Sequence, residues 1–244
     1  MDVRAIGRAG LSGHSATLRA ADVHHWILDL DNTLYPEATN LFLRVGERMT
    51  TFISNLLAVE LEEAYEIQKK YLIEYGATLR GLMEHHDVEP HDFLDYVHDV
   101  NIDVIPPDPH LVDSLRRLPG AKYVFTNGTR AHAEAVLERL GAVGEISGIF
   151  DIEAADFVPK PAPQTYAALV GHFDIETDRA VMVEDMVRNL KPAHDLGMTT
   201  VWLNTGGQLG RVGYDAAHVD IEIDDLTVWL NGLVAALDDP DGAI

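Results

Sequence analysis

Residues 26–36 read WILDLDNTLYP, and this stretch decides the fold. A short apolar run, Trp26 to Leu28, stops at two carboxylates, Asp29 and Asp31. Such a pattern is typical of a buried strand that ends in acidic residues. Once the backbone turns out of the strand, both carboxylates can face a single pocket. Two acids placed so close together need a countercharge, or one of them will be protonated.

The rest of the chain alternates short apolar runs with amphipathic stretches. This alternation implies right-handed crossovers, and it predicts a Rossmann-like α/β fold in which a parallel sheet carries helices on both faces. The predicted strands lie at 123–125, 180–183, 200–203 and 219–223, and the predicted helices lie at 133–140, 163–172 and 226–237, with another ending at Gly197.

The segment between the first strand and the others shows only helical periodicity. Leu41, Val45, Met49 and Phe52 recur at spacings of four and three, which places them on one helix face. The sequence IPPDP at 105–109 is the clearest linker. We therefore expect a disordered tail over residues 1–22, a core domain formed by residues 23–36 and 104–240, and an inserted all-helical cap domain over residues 37–103.

Polar residues follow several of the predicted strands. In an open parallel sheet, ligands bind outside the carboxyl ends of the strands. Asp29 and Asp31 meet that edge, and we expect the following residues to join them there: Thr126, Asn127, Lys160, Glu184 and Asp185. Clustered acids facing a substrate anion indicate a hard cation, and Mg²⁺ prefers such oxygen ligands.

This set of residues suits phosphoryl chemistry. A carboxylate such as that of Asp29 can attack phosphorus and form an aspartyl-phosphate. A second carboxylate, Asp31, can protonate the leaving oxygen and later take a proton from water. Lys160 and the hydroxyl of Thr126 would then hold the oxygens of the transferring group.

Four segments, taken in order, resemble the four motifs of the haloacid dehalogenase (HAD) superfamily: WILDLDNTLYP at 26–36, VFTNG at 124–128, Lys160-Pro161, and VED at 183–185. The resemblance implies that Asp29 is the nucleophile and Asp31 the acid/base, and that Thr126 and Lys160 contact phosphate. It also implies a Mg²⁺ site formed by Asp29, the backbone carbonyl of Asp31, and Asp185. Direct ligation by Glu184 stays open. Arg188-Asn189 stand where the fourth motif often carries a further acid.

The insert is similar to the cap of the pyrimidine 5′-nucleotidase-like group, on the segments EYGATLRGLMEHHDVEP at 74–90 and DFLDYVHDV at 92–100. This resemblance implies a nucleoside 5′-monophosphate substrate. We expect Asn127, Gly128 and Arg80 to bind it. A sugar-phosphate phosphatase or phosphomutase on the same fold is the alternative enzyme. A phospho-accepting regulator is the non-enzymatic one, and the large helical insert disfavours it.

The charge balance limits the partners. With 18 basic and 40 acidic residues the formal net charge is −22, which repels nucleic-acid polymers and anionic lipid. No apolar run approaches the ~20 residues that a membrane helix needs. We expect a small-molecule phosphate ester as partner and, in the absence of a secretory signal, a cytoplasmic location. The twelve histidines are expected to face solvent rather than to bind zinc.

Overall fold

The computed structural model describes residues 18–238 and contains a six-stranded parallel sheet with the strand order β3-β2-β1-β4-β5-β6. The strands are β1 (His25–Leu28), β2 (Ala121–Phe125), β3 (Gly148–Phe150), β4 (Ala180–Glu184), β5 (Thr199–Leu203) and β6 (Ile221–Ile223). The predicted α/β class is confirmed.

The first strand lies at the centre of the sheet. His25 pairs in register with Ala121 of β2 on one side and with Ala180 of β4 on the other. The chain then builds outward through β3 on one side and through β5 and β6 on the other, so the strand order reverses between β1 and β4. Such a switch point opens a crevice at the carboxyl edge of the sheet.

Alternate residues of β1 enter different cores. Trp26 and Leu28 pack into one apolar cluster, and Ile27 packs into the other. The first cluster is covered by α5 (Pro109–Arg117), α6 (Arg130–Leu140) and α9 (Leu226–Asp238), and the second by α7 (Pro163–Phe173) and α8 (Leu190–Asp195). Helices therefore cover both faces of the sheet, as predicted.

Three features differ from the sequence expectations. Helix α5 lies where no helix was predicted. Strand β3 was not predicted either, because a strand of three residues that begins with a glycine gives too short a period-two signal. The predicted tail over residues 1–22 lies mostly outside the described residues. Within the described part, Ala20–Asp22 form a short 3₁₀ helix, and Ala20 is buried against the first cluster.

The insert forms four helices: α1 (Leu41–Leu57), α2 (Leu61–Tyr75), α3 (Thr78–His86) and α4 (Pro90–His98). All four lie within the predicted cap region, and they enclose an apolar cluster of their own. Val45 and Phe52 pack there with Phe93 and Val97. Leu41 instead joins the core beneath the sheet, at the point where the chain enters the cap.

The cap is fastened to the core domain at the end of α2. The guanidinium of Arg188 donates hydrogen bonds to the backbone oxygens of Leu72 (2.7 Å), Ile73 (3.2 Å) and Gly76 (3.1 Å). These carbonyls lie at a helix C-terminus, which carries negative partial charge, and that of Leu72 also accepts a hydrogen bond from the Gly76 amide. Arg188 therefore acts as a tether between the two domains.

No helix in the described part of the chain has the length and apolar character that crossing a membrane requires.

Gly76 offers a test of the tight contact between cap and core. It has a φ of +89°, and a Cβ there would lie 2.5 Å from the backbone oxygen of Lys160. We expect Gly76→Ala to lower the free energy of unfolding, since it adds a steric clash to the strain of about 1–2 kcal/mol that an L-residue meets at positive φ.

Gly197→Ala is the matched control, because Gly197 has a φ of +87° with nothing within 4 Å of the added Cβ. Chemical denaturation of both variants measures the difference. An equal loss of stability in the two would contradict the steric account.

Candidate active site

The turn that follows β1 presents the two aspartates. The amide of Asp29 still donates to the oxygen of Val183 in β4 (3.0 Å), so Asp29 is the last residue held by the sheet. Asn32 then adopts a positive φ of 58°, which asparagine tolerates better than most residues. The chain thereby leaves the sheet plane, and both aspartates remain at its carboxyl edge.

Lys160 is the centre of the site. Its ammonium donates to Oδ1 of Asp29 at 2.6 Å and to Oε2 of Glu184 at 2.7 Å. It also donates to the backbone oxygen of Phe125 at 2.9 Å. Lys160 is only 2% exposed and Asp29 only 6%. One buried cation thus joins the ends of β1, β2 and β4.

The turn between β2 and α6 supports this lysine. Oδ1 of Asn127 accepts a hydrogen bond from the backbone amide of Lys160 (2.9 Å). Oγ1 of Thr126 accepts one from the amide of Gly128 (2.9 Å). The structure therefore brings Thr126, Asn127 and Gly128 to the predicted edge. Asn127 orients the lysine segment, a contact that the sequence did not suggest.

Asp31 lies beside the lysine cluster and has partners of its own. Its Oδ1 accepts hydrogen bonds from the Tyr35 hydroxyl at 2.6 Å and from Nε2 of His132 at 3.0 Å. His132 belongs to the first turn of α6 and is 4% exposed. The expectation that the histidines face solvent is therefore wrong for His132.

Three acids at this edge of the sheet form a group that could hold a metal ion, and His194, Asp195 and His218 form a second such group away from it. Oxygen atoms of Asp29, Glu184 and Asp185 lie within 4.8 Å of one another. The side chain of Asp31 is not part of this group. Both oxygens of Glu184 already have partners, since Lys160 donates to Oε2 and the amide of Met186 to Oε1 (3.2 Å).

The pKa values of Asp29 and Asp185 are raised because both carboxyls are buried and lie close to other acids. Burial raises the pKa of Asp29 to about 7, Glu184 adds to the effect, and Lys160 opposes it. Burial, with Glu184 and Asp29, also raises the pKa of Asp185 well above its ordinary value. Buried carboxylates whose pKa is raised in this way favour the binding of a cation, so the donor set fits a hard divalent ion.

For Asp31 and Lys160, neighbouring charges and hydrogen bonds outweigh the effect of burial on the pKa. Burial acts to raise the pKa of Asp31, but His132 and the Tyr35 hydroxyl outweigh it and hold the pKa below its usual value. Burial acts to lower the pKa of Lys160, but Asp29 and Glu184 raise it above its ordinary value. Both side chains therefore favour their charged forms.

Arg80 is the predicted site residue that the structure does not join to this cluster. It lies on α3, is more than one-third exposed, and pairs with Glu84 one turn later at 3.4 Å. The contact with Glu84 uses one nitrogen of the guanidinium, so the other N–H groups of Arg80 stay available to a substrate.

Sequence analysis missed three partners of the aspartates: Thr33, Tyr35 and His132. The Thr33 hydroxyl donates to Oδ2 of Asp29 at 2.9 Å. Tyr35 follows Asp31 by four residues, within the segment WILDLDNTLYP itself. That spacing was the available signal for Tyr35, whereas no local pattern marks His132.

A family model of the haloacid dehalogenase-like hydrolases matches residues 24–197, which is more than half of the chain. The chain belongs to this family. The matched range includes every acid of the HAD site and Lys160.

Two curated relatives are similar to this HAD hydrolase at low identity. Phosphate metabolism protein 8 of Saccharomyces cerevisiae is 26% identical over 192 residues, which cover 71% of this chain and 59% of that protein. Glyceraldehyde 3-phosphate phosphatase of Methanocaldococcus jannaschii is 27% identical over 197 residues, covering 74% of this chain and 84% of that protein. The chain thus spans less than two-thirds of the yeast relative.

Solved structures share the HAD fold. A HAD phosphatase from Thermococcus onnurineus superposes with a TM-score of 0.57 at 18% identity, covering 90% of this chain and 98% of that one. The HAD-hydrolase YfnB of Bacillus subtilis, bound to magnesium, gives 0.58 at 14% identity, with 86% and 98% covered. An L-2-haloacid dehalogenase of Xanthobacter autotrophicus gives 0.54 at 12% identity, with 91% and 100% covered. At these identities the likeness concerns the fold alone.

The raised pKa of Asp29 predicts a pH-dependent stability in metal-free protein. A carboxyl with a folded-state pKa of about 7 against an ordinary 3.8 stabilises the fold fully below the ordinary value. That contribution is lost as the pH rises through the folded-state value. We expect the melting temperature, measured in a chelator, to fall across this interval.

The matched control is Asp29→Asn, which cannot ionise and should show a smaller fall over the same interval. A divalent cation should suppress the fall in the parent protein. If the melting temperatures of the parent and of Asp29→Asn fell equally over this interval, the pH dependence could not be assigned to Asp29.

Proposed function

We propose that this HAD hydrolase is a magnesium-dependent phosphatase that attacks phosphate monoesters with the carboxylate of Asp29. One observation carries the proposal: Asp29, buried at the sheet's switch point, contacts Lys160 and shares a metal-binding arrangement with Glu184 and Asp185. An acidic protein can accept an anionic substrate here, because the lysine and a bound cation offset the local negative charge.

The side chains divide the reaction between them. An oxygen of Asp29 forms a bond to phosphorus while the bond to the ester oxygen breaks. Asp31 gives that oxygen a proton, so it must enter this step in its protonated form, although its two donors favour the carboxylate. A water molecule then attacks the aspartyl-phosphate, Asp31 takes its proton, and phosphate leaves. Thr126 would hold a phosphoryl oxygen, and Lys160 would do so once one of its three N–H groups exchanges its present acceptor for the substrate. Bound magnesium would supply further neutralisation of the charge between Asp29 and the substrate.

The substrate class is the finer part of the proposal. The resemblance of the insert at 74–100 to the pyrimidine 5′-nucleotidase-like cap supports nucleoside 5′-monophosphates. The Methanocaldococcus relative, named a glyceraldehyde 3-phosphate phosphatase, supports a sugar or triose phosphate as the second candidate. Phosphate release from a panel of nucleoside, sugar and triose monophosphates distinguishes the two.

Dehalogenation on the same fold is less well supported. A haloacid substrate carries no phosphoryl group, so dehalogenation would give no role to the cluster of Asp29, Glu184 and Asp185. It also leaves Asp31, held by two donors, without a proton to transfer.

Asp29→Asn tests the nucleophile. We expect this variant to keep its fold and to lose at least about 10³-fold in kcat for phosphate release from an aryl phosphate with magnesium, because an amide cannot form the phospho-enzyme. Asp178→Asn, at an exposed position before β4, is the control and should behave as the parent. Retention of more than roughly a tenth of the parent's activity by Asp29→Asn would refute the mechanism.

Arg80→Ala tests the cap's part in substrate choice. If Arg80 binds the substrate, the variant should raise KM for uridine 5′-monophosphate and leave kinetics on a small aryl phosphate unchanged. Glu84→Gln frees Arg80 from its exposed partner and serves as the matched control, with an equal or lower KM. An unchanged KM for Arg80→Ala on every substrate in the panel would remove Arg80 from the site.

A further inference from the structure

We propose that His132 and Tyr35 are positioning residues for Asp31, and that the cap takes part through His98, which packs against His132. This inference rests on the proposed phosphatase function and names residues that neither the four motifs nor the sequence analysis assigned a role. Its basis is the set of contacts that surround the side chain of Asp31.

Both donors bind the same oxygen of Asp31. The Tyr35 hydroxyl lies 2.6 Å from Oδ1, and Nε2 of His132 lies 3.0 Å from it. Among the described residues, none donates a hydrogen bond to Oδ2 of Asp31. A carboxylate rotates through a broad range about its last torsion unless its oxygens are held. Because Oδ1 is held by two donors, Oδ2 is the oxygen left to exchange a proton with the substrate.

The ring of His132 is itself held from several sides. Its backbone amide donates to the Thr129 side chain, which caps the start of α6 (3.2 Å). The His98 ring stacks on it, with centroids 4.5 Å apart and planes 17° from parallel. Nδ1 of His98 also lies 3.4 Å from the Thr129 hydroxyl. The two imidazoles and Thr129 thus form one packed unit.

This unit joins the two domains. His98 is the last residue of α4, the final cap helix, whereas Thr129 and His132 belong to α6 of the core domain. The C-terminal end of the last cap helix, at His98, therefore packs against His132, the residue that donates a hydrogen bond to Asp31. A cap that seats His98 on His132 supports the orientation of the acid, and a displaced cap removes that support.

The chemistry gives this orientation a measurable consequence. Proton transfer requires heavy atoms within about 2.6–3.2 Å, so a misaimed Asp31 protonates the leaving oxygen poorly. A phenolate leaves phosphorus readily only with a proton, whereas 2,4-dinitrophenolate leaves without one. Phenyl phosphate and 2,4-dinitrophenyl phosphate present a similar ring to the site and differ mainly in this demand.

The experiment compares kcat/KM on these two esters for the parent, His132→Leu and His132→Gln, with magnesium present. We expect His132→Leu to lose about 10- to 100-fold on phenyl phosphate and little on 2,4-dinitrophenyl phosphate. His132→Gln keeps an N–H donor near the position of Nε2 and should recover much of the loss. Tyr35→Phe should show the same selective loss.

The ratio of the two kcat/KM values does not depend on how much of a variant is folded, since both esters are assayed on one preparation. A damaged fold lowers both values together. A ratio in His132→Leu that equals the parent's would therefore overturn the proposal. A selective loss in His132→Gln as large as that in His132→Leu would overturn it as well. A parent that releases phosphate from neither ester would instead refute the phosphatase function itself.

The part played by the cap is tested at His98. His98→Phe keeps a ring that can stack on His132, whereas His98→Ala removes it. We expect His98→Ala to show a smaller version of the selective loss seen in His132→Leu, and His98→Phe to stay close to the parent. Identical ratios for the two His98 variants would overturn the role of the cap.

Discussion

The buried ammonium of Lys160 is the interaction on which the site depends. Removing a lysine from water is unfavourable unless its charge is paired and its donors are satisfied. Asp29, Glu184 and the oxygen of Phe125 meet that condition from three adjacent strands. Because each partner comes from a different strand end, the lysine can be satisfied only when β1, β2 and β4 are in register.

The same arrangement leaves the site short of positive charge. Lys160 balances only one of the three acids at Asp29, Glu184 and Asp185, and burial raises the pKa of Asp29 and Asp185. A raised pKa favours the protonated form of Asp29, which is a weaker nucleophile, and the acids that are ionised repel a phosphate group. A divalent cation corrects both faults at once, since it favours the ionised carboxylates and attracts the substrate's oxygens.

Much of the fold could be predicted because nearly continuous apolar runs mark β1, β4 and β5, whose residues are mostly buried. The placing of Asp29 and Lys160 at one edge of the sheet could be predicted because the motifs stand in order along the chain. Strand β3 was not predicted because its three residues are too few to show the alternation of a strand. His132 escaped because its role arises only when α6 packs beside the turn after β1, a contact between residues 101 positions apart.

Arg188 shows how a departure from a motif acquires a structural reason. The sequence marked it as a basic residue where a further acid often stands. In the structure it binds three backbone carbonyls at the end of α2, where a cation is favoured by the helix dipole. Asp185 and Arg188 belong to the same short segment after β4. Asp185, which belongs to the candidate metal-binding group, and Arg188, which holds the cap, are therefore only three residues apart, so a shift of that segment would displace both together.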